Sequence, residues 1–475
     1  MTPRAQSLTL AQLTRSLDRP GLLVTDRDVI GAACRDYRGW YCGDAIALAR
    51  PRSVKEVQDV VRAAAASGCA IVAQGGNTSL CGGSVPLANS ERPSIILSMV
   101  GLNQVRSVDA ASWSLVAEAG CTVNQVQNAA RMVGRYFGLD LGSRGTATVG
   151  GIIATNAGGM GVVRYGNCRD LVLGLEVALP DGSLWSGLKA LRKDNSGIDL
   201  KHLFIGTEGT LGIVTAASLK MHPPETMSAT ALLRVSSIEA ASSYADLAFT
   251  MANGELSAIE LLPVMGIRRV CEELLRCSPP IELSEDWYVL CRLAGQQSVQ
   301  EKLESIVSHA METGLCSDAI LAQSSAQEEH LWSIRDSFSD LHKVLGPSFR
   351  FDYAVPLGRI PELYHQLCKR IAEIEPKFVP FAFGHMGDGN LHFSACQPQD
   401  GDHALYETKK AKIEAAANAV VWSLGGTVSA EHGIGQLHRV ELSYQKSATE
   451  LVLMNRLKSL IDPTAILNPK KMLPD

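Results

Sequence analysis

The amino-acid sequence predicts an α+β protein with two main parts, and three observations lead to this prediction. Short strand-like and helix-like segments alternate up to about Thr215, and glycines cluster there. After Pro223-Pro224 glycine becomes scarcer and charged helical segments appear. The length of 475 residues suggests about three folded units at about 150 residues per domain. We therefore predict an N-terminal helical segment (1–44), a first domain (45–222), a second domain (223–424) and a C-terminal segment (425–475).

Individual elements follow from local patterns. The opening stretch reads as helical. A second helix is predicted over Ser53–Ser67, with Ser53 as N-cap, Glu56 as the third helical residue and valines on one face. A strand over 70–73 then enters a glycine-rich loop. In the second part, helices are predicted over 299–313, 327–343 and 411–424, and residues 462–469 read as an ordered turn.

Composition excludes several classes of protein. A net charge of -5 argues against nucleic-acid binding, which needs a basic surface. The 12 cysteines form no CxxC pair, which favours reduced thiols over a disulfide framework. The sequence contains no unbroken apolar run of membrane-spanning length, and residues 1–17 lack the apolar core of a secretory signal. We expect a soluble cytoplasmic protein of bacterial type, with the mitochondrial matrix as the alternative.

Five glycine clusters between residues 75 and 159 predict a ligand site. Glycine lets backbone amides approach a ligand, and successive amides form concave anion-binding nests. Several clusters also contain asparagine, serine or threonine. The sequence has neither GxGxxG nor GxxxxGK[ST], so a nicotinamide or Walker site is not supported. A dinucleotide held by its diphosphate is the natural ligand.

A second motif, residues 381–394, suggests a metal site. Asp388-Gly389 is a typical two-residue hairpin turn. If these two residues form the loop, His385 pairs directly with His392, with Cβ atoms about 5 Å apart. Glu431-His432 adds a carboxylate and a third imidazole. Two histidines and one carboxylate suit catalytic zinc or a similar ion, which would polarise a hydroxyl group and a carboxylate.

Two arginines are candidates for binding an anionic substrate. Arg335 and Ser339 are spaced to share one face of a helix, and Arg350 lies in a strand pattern over 349–356. The guanidinium group matches a carboxylate with two parallel hydrogen bonds. A solvated arginine paired with Asp336 or Asp352 is the alternative reading for either residue alone.

From about Tyr41 onward the sequence resembles a known family. The segments 74–86 (QGGNTSLCGGSVP), 142–159 (GSRGTATVGGIIATNAGG) and 204–215 (FIGTEGTLGIVT) resemble the loops of the vanillyl-alcohol-oxidase type FAD-binding domain. Within that family the chain is similar to D-2-hydroxyglutarate dehydrogenases, which are related to D-lactate and glycolate dehydrogenases. Gln74 stands where relatives commonly carry arginine, Arg350 where lysine is common, and Ser394 where asparagine is frequent.

The resemblance implies a fold and a set of roles. The fold is a two-part FAD-binding domain followed by an α+β cap domain and a C-terminal helical segment, and the segment 425–475 is expected to pack on the FAD-binding domain and to complete the active site. His385, His392 and Glu431 match the metal ligands, and His432 matches the general base. Substrate-binding positions correspond to Arg335, Ser339, Arg350 and Asn390. Noncovalent FAD is expected to contact Gly75, Gly76, Asn77, Thr78, Gly142, Ser143, Thr146, Gly150, Gly151, Thr155, Asn156, Gly158, Gly159, Glu208, Gly209, Ile213 and Asn468.

The expected activity is FAD-dependent oxidation of a D-2-hydroxy acid, with D-2-hydroxyglutarate as the first candidate because two cations favour a dicarboxylate. The metal is expected to be zinc, with manganese or cobalt as alternatives. Electrons would pass to an electron-transfer flavoprotein or a quinone, and a homodimer is possible. The rival functions are a D-lactate, D-malate or glycolate dehydrogenase, a noncatalytic flavin subunit, and a metal-dependent hydrolase that would bind no flavin.

Overall fold

The computed structural model describes residues 3–398, 401 and 403–474, and these residues form two compact units. Unit 1 contains the described residues up to Gly159, Tyr165–Pro223 and those from Glu431 onward. Unit 2 contains Met160–Arg164 and Pro224–Ala430. The chain therefore leaves unit 1 directly after Pro223, where the sequence breaks at Pro223-Pro224. It returns at Glu431, a few residues after the predicted start of the C-terminal segment.

In chain order the strands of the described residues are β1 (Leu23–Val24), β2 (Ala47–Ala49), β3 (Ala70–Gln74), β4 (Ser94–Ser98), β5 (Val105–Asp109), β6 (Ser114–Glu118), β7 (Val172–Ala178), β8 (Leu184–Ser186), β9 (Ile213–Lys220), β10 (Met227–Val235), β11 (Leu256–Pro263), β12 (Trp287–Gly295), β13 (Asp318–Leu321), β14 (Ser348–Ala354), β15 (Val379–His385) and β16 (Asn390–Cys396). They form three sheets, with orders β1-β2-β4-β3, β5-β6-β9-β7-β8 and β13-β10-β12-β11-β15-β16-β14.

The helices pack on these sheets and connect them. In chain order they are α1 (Pro3–Ser16), α2 (Arg27–Ala33), α3 (Val54–Ser67), α4 (Val123–Arg131), α5 (Val149–Thr155), α6 (Val162–Tyr165), α7 (Cys168–Leu171), α8 (Ile238–Ala252), α9 (Val264–Arg269), α10 (Val299–Glu312), α11 (Ser325–Asp336), α12 (His342–Leu345), α13 (Ile360–Ile374), α14 (His403–Thr408), α15 (Lys410–Ser423), α16 (Arg439–Gln445) and α17 (Ala448–Ile461).

Unit 1 is built on the first two sheets. Parallel pairing joins β2, β4 and β3, whereas the five-stranded sheet is antiparallel. The predicted helix after Ser53 is confirmed as α3: the Ser53 side chain accepts a hydrogen bond from the Glu56 amide, and Val57, Val60 and Val61 are buried. One apolar core runs through this unit and includes residues of both sheets and of α3.

The C-terminal tail is ordered and extends the first sheet, in agreement with the turn predicted there. The Ile71 amide donates to the Ile466 carbonyl at 2.7 Å, and the Asn468 amide donates to the Ile71 carbonyl at 2.8 Å. Asp462, which is 1% exposed, accepts hydrogen bonds from the amides of Ile466 and Leu467. The tail thus pairs with β3, the strand that leads into the first glycine loop.

Unit 2 is built on the seven-stranded antiparallel sheet. One face packs against α8, α10, α13 and α15 in a large apolar core. The other face packs in part against α9 and α11 in a smaller core that includes Leu262, Tyr288 and Phe381. Because side chains alternate between faces along a strand, the register of the sheet decides which polar residues share the second face.

The helix predicted over 327–343 is wrong in extent. The α-helix ends at Asp336, residues Ser337–Asp340 form a 3-10 turn, and a short helix follows. Serine hydroxyls explain the break, because Ser337 Oγ donates to the Ser333 carbonyl and Ser339 Oγ to the Asp336 carbonyl. The other two helices predicted in this part agree with α10 and α15 to within one residue at each end. None of the helices in the described ranges is long and apolar enough to span a bilayer.

Candidate active site

A cavity of about 330 Å³ in unit 1 is lined by the predicted glycine loops. Its walls come from the loop after β3, from residues 141–143, from α5 and its flanks, and from residues 208–214. Backbone amides of such loops and short hydroxyl side chains are the groups that fit a diphosphate. The volume also falls in the range of about 300–1,000 Å³ common for cofactor pockets.

Glycine is required in the first loop because two backbone segments approach closely. A Cβ atom on Gly76 would lie 1.9 Å from the Thr146 carbonyl oxygen. The next residue, Asn77, has φ of 53°, a left-handed conformation that asparagine tolerates. Its side chain donates to the Arg35 carbonyl at 2.8 Å and accepts from the Ser84 hydroxyl at 2.7 Å. Asn77 therefore fixes the loop as well as lining the cavity.

Most of the predicted FAD-contacting residues line this cavity. They are Gly75, Gly76, Asn77, Thr78, Gly142, Ser143, Gly150, Gly151, Thr155, Gly158, Glu208, Gly209 and Ile213. Thr146, Asn156, Gly159 and Asn468 are not among the lining residues. Sequence reasoning missed other lining residues, among them Ser79, Leu80, Gly83, Ser84 and Gly212.

Two asparagines outside the lining support the loops from behind. Asn156 ends α5 in a left-handed conformation, and its Oδ1 accepts from the Arg169 amide at 2.9 Å. Asn468, which is 2% exposed, donates from Nδ2 to the carbonyls of Gly83 at 3.0 Å and Glu208 at 2.7 Å. Asn156 thus joins the end of α5 to α7, and Asn468 holds the backbone of two lining residues, so both shape the cavity without lining it.

Glu431 and His432 also line the cavity of unit 1, and Glu208 anchors the loop that follows them. The Glu208 carboxylate accepts hydrogen bonds from the amides of Ile434 at 2.6 Å and Gly435 at 2.8 Å. Glu208 was predicted as a cofactor contact. In the structure its carboxylate mainly fixes the backbone next to the predicted base.

In unit 2 the predicted hairpin forms, but its predicted register is wrong. His385 pairs with Asn390, and Phe383 pairs with His392, so residues 386–389 form a four-residue loop. The Met386 amide leaves the hairpin and donates to the Ile259 carbonyl of β11, which explains the longer loop. A shift by two residues keeps both histidines on one face. Their ring centroids lie 5.4 Å apart, and one nitrogen of each lies within 4.8 Å of the other.

A buried carboxylate lies beside each of these histidines. Glu260 pairs with His385 across β11 and β15, and its Oε1 lies 2.6 Å from His385 Nδ1. Asp352 pairs with His392 across β14 and β16, and its Oδ1 lies 3.5 Å from His392 Nδ1. Burial opposes ionisation of Glu260, but Arg335 and His385 hold the pKa of its carboxyl group well below the ordinary value.

Arg335 lies on the same side of the sheet and is buried. Its Nε donates to Glu260 Oε2 at 2.6 Å, and its guanidinium carbon lies 5.3 Å from the centre of the Phe383 ring. The alternative pairing of Arg335 with Asp336 is therefore replaced by an ion pair with Glu260. Arg350 pairs in register with Ser394 and is exposed, and its Nε donates to Ser348 Oγ at 3.3 Å.

The remaining two substrate-binding candidates differ in burial. Asn390 is 3% exposed and donates from Nδ2 to Asp352 Oδ1 and to the Tyr353 carbonyl, both at 2.9 Å. Its Oδ1 is buried and meets no hydrogen-bond donor among the residues that the structure describes. Ser339 is exposed at the 3-10 turn. Unit 2 thus brings His385, His392, Asn390 and Arg335 to one face.

Sequence reasoning missed Glu260, although one signal pointed to it. In the segment 256–263 (LSAIELLP), Glu260 is the charged residue among apolar and small neighbours, and in the structure every residue of this strand, β11, is buried. A buried carboxylate needs a cationic or hydrogen-bonding partner. The signal does not identify the partners, because they lie 75 and 125 residues further along the chain.

Comparisons with known sequences agree with this architecture. The pattern of the FAD binding domain family matches residues 45–187, and that of the FAD linked oxidases, C-terminal domain, matches residues 225–472. The mitochondrial D-2-hydroxyglutarate dehydrogenase of Bos taurus is 36% identical over 471 residues, covering 98% of this chain and 83% of that protein. The D-2-hydroxyglutarate dehydrogenase of Xanthomonas citri pathovar viticola is 34% identical over 439 residues, covering 92% and 91%.

A comparison with solved structures shows a shared fold. The structure of p-cresol methylhydroxylase with bound substrate has a TM-score of 0.78 at 15% identity, covering 100% of this chain and 98% of that one. The predicted vanillyl-alcohol-oxidase type fold and the resemblance to D-2-hydroxyglutarate dehydrogenases are confirmed. The chain belongs to the FAD linked oxidase family and is an FAD-dependent oxidoreductase.

Proposed function

We propose that this protein oxidises D-2-hydroxyglutarate to 2-oxoglutarate with noncovalent FAD and a divalent metal ion. The observation that carries the proposal is the face of unit 2 where His385 and His392 lie with their rings 5.4 Å apart and Arg335 is buried nearby. The names of the two relatives support the same substrate. The net charge of -5 means that an anionic substrate needs such local positive groups.

FAD supplies the two-electron acceptor for the hydrogen at C2 of the substrate. The cavity of unit 1 fits FAD because its glycine loops present amides and short polar side chains. We propose that Gly75–Thr78 and the α5 region hold the diphosphate. We propose an electron-transfer flavoprotein or a quinone as the acceptor that would reoxidise the bound cofactor.

The proposed metal ligands are His385, His392 and Glu431. His385 fits this role because its Nδ1 contacts Glu260 Oε1, which favours the tautomer with the proton on Nδ1 and a lone pair on Nε2. Imidazoles and a carboxylate are the ligand set of catalytic zinc, with manganese and cobalt as alternatives. A divalent ion supplies polarisation of the substrate hydroxyl group and its neighbouring carboxylate.

The remaining groups bind the substrate or move its proton. We propose that His432 accepts the hydroxyl proton, since a neutral imidazole is an effective base near neutral pH. Arg335 and Arg350 are proposed to bind the distal carboxylate, and Ser339 and Asn390 to add hydrogen bonds. This assignment favours a dicarboxylate over D-lactate or glycolate, because a monocarboxylate has no distal carboxylate that could pair with the two arginines.

The anaerobic visible spectrum of the purified protein tests this proposal. Adding D-2-hydroxyglutarate should bleach the oxidised flavin band, a chelator should abolish the bleaching, and added metal should restore it. D-Lactate, D-malate and glycolate serve as matched substrates and should bleach the band much more slowly. Bleaching by one of these three but not by D-2-hydroxyglutarate would refute the substrate assignment, and a flavin band unchanged by all four acids would indicate a noncatalytic flavin subunit.

A further inference from the structure

Glu260 lies at a position where a charged residue is costly. All eight residues of β11 are buried, and Glu260 is 1% exposed in the middle of the strand. Transferring a carboxylate into such surroundings is unfavourable unless it gains strong partners. Replacing a buried ion pair as a whole by apolar residues of similar size is often neutral or stabilising. The presence of a carboxylate here therefore calls for a reason beyond stability.

Each oxygen of this carboxylate binds a different predicted site residue. Oε1 lies 2.6 Å from His385 Nδ1, and Oε2 accepts from Arg335 Nε at 2.6 Å. Both partners are 7% exposed. The strand pairing fixes the first contact, because Glu260 and His385 are directly opposite in the ladder between β11 and β15. The second contact fixes the guanidinium group of α11 against the same carboxylate.

We propose that Glu260 is a positioning residue that orients His385 for metal binding and Arg335 for substrate binding. A hydrogen bond from Nδ1–H to a carboxylate fixes the imidazole tautomer and leaves the Nε2 lone pair for an ion. The other oxygen holds the arginine by Nε. One carboxylate thus sets the spacing between the metal ligand and the cation that binds the substrate. This inference rests on the proposed function.

An ion pair between α11 and the same sheet serves as a comparison. Glu328 accepts hydrogen bonds from Thr230 Oγ1 and from Arg292 Nε, both at 3.0 Å. These contacts join a carboxylate, an arginine and a hydroxyl group without a histidine. Glu328→Gln is therefore the control variant, since it removes a half-buried carboxylate that pairs with arginine in unit 2 but touches no predicted metal ligand.

The test measures zinc affinity of the full-length, FAD-loaded protein by competition with a chromophoric chelator. We expect Glu260→Gln to weaken zinc binding about 10- to 100-fold, the usual effect of losing a carboxylate partner of a metal-bound histidine. Glu328→Gln should bind zinc like the wild type. At saturating zinc, Glu260→Gln should also raise KM for D-2-hydroxyglutarate, because Arg335 loses its support. Neither change is expected from a purely structural ion pair.

Three results separate failure of this inference from failure of the proposed function. If the wild type binds zinc through His385, as His385→Ala reveals, but Glu260→Gln retains wild-type affinity and KM, the positioning role is wrong and the function stands. If the wild type binds no stoichiometric zinc, manganese or cobalt, the metal site of the proposed function fails together with the positioning role. If Glu260→Gln does not fold, Glu260→Asp replaces it. This variant keeps the charge but retracts the carboxylate by one methylene, and wild-type zinc affinity and KM in it would overturn the positioning role.

Discussion

Lys471 is a buried lysine whose replacement should change how stability depends on pH. It is 2% exposed, and its Nζ contacts the carbonyl oxygens of Gly83 and Val85 and Asn468 Oδ1. Burial lowers the pKa of this amine to about 7, although the carboxylate of Glu208 opposes the shift. We predict that Lys471→Met abolishes a pH dependence that the wild type shows between pH 7.5 and 9.5.

The sign and size of this dependence follow from proton binding. The pKa of an unfolded lysine is about 10.4. Between about pH 7 and 10 the unfolded chain therefore holds a proton that the folded protein has released. Stability rises with pH under this condition, by at most about 1.4 kcal/mol per pH unit. From pH 7.5 to 9.5 the wild type should gain about 2–3 kcal/mol from this group relative to Lys471→Met. Below pH 7 the burial penalty is fully present.

Urea unfolding followed by circular dichroism at pH 7.5, 8.5 and 9.5, with FAD in excess, measures the effect. The quantity of interest is the difference between wild type and variant as a function of pH, so a constant loss of stability in Lys471→Met does not interfere. Lys446→Met is the control, because Lys446 is partly exposed and pairs with Glu450 at 3.1 Å. It should keep the wild-type slope. Equal slopes in wild type and Lys471→Met would refute the reasoning.

Three further predictions concern the two halves of the site. Gly76→Ala should lose FAD binding, because the added Cβ would lie 1.9 Å from a backbone oxygen. Gly145→Ala is the control, because an added Cβ there would have no atom within 4 Å, and it should keep the flavin stoichiometry measured from the visible spectrum. Arg335→Ala should lower kcat/KM for D-2-hydroxyglutarate about 10- to 100-fold, because a hydrogen bond to a charged group contributes about 1.5–3 kcal/mol. Arg350→Ala should lower kcat/KM less, because Arg350 is exposed. An equal effect of Arg335→Ala on the oxidation of D-lactate would contradict a role at the distal carboxylate. Chelator treatment should slow flavin reduction by substrate at least about tenfold and leave photochemical reduction unchanged; loss of both would indicate damage to the flavin site instead.

Local signals in the sequence predicted much of the fold. The cap at Ser53 begins α3 as expected, and the break at Pro223-Pro224 marks the passage between units. The glycine loops were recognisable because close backbone approach, as at Gly76, admits no other residue. These features depend on residues a few positions apart, and such short-range chemistry is readable without the structure.

Features that depend on distant partners were predicted less well. The hairpin register was off by two residues because Met386 pairs with β11, more than 120 residues earlier in the chain. The helix after Ser325 ended sooner than its apolar pattern suggested, because serine hydroxyls compete for the backbone near Ser337. Glu260 was overlooked, since its strand reads as ordinary core until the contacts with His385 and Arg335 are known.

Two buried carboxylates lie beside the predicted metal-binding histidines of unit 2. Glu260 and Asp352 are 1% and 6% exposed, and each lies beside a predicted metal ligand. Burying charge costs free energy that an apolar pair would not cost, so these acids lower the stability that the same sheet could reach. In return, the proposed role of Glu260 is to orient the His385 imidazole, which its carboxylate contacts at 2.6 Å, and a site with demanding geometry requires such support on rigid strands. Glu260 and Asp352 occupy the strand positions opposite His385 and His392. We therefore expect that substitutions at these two positions which raise stability will lower activity.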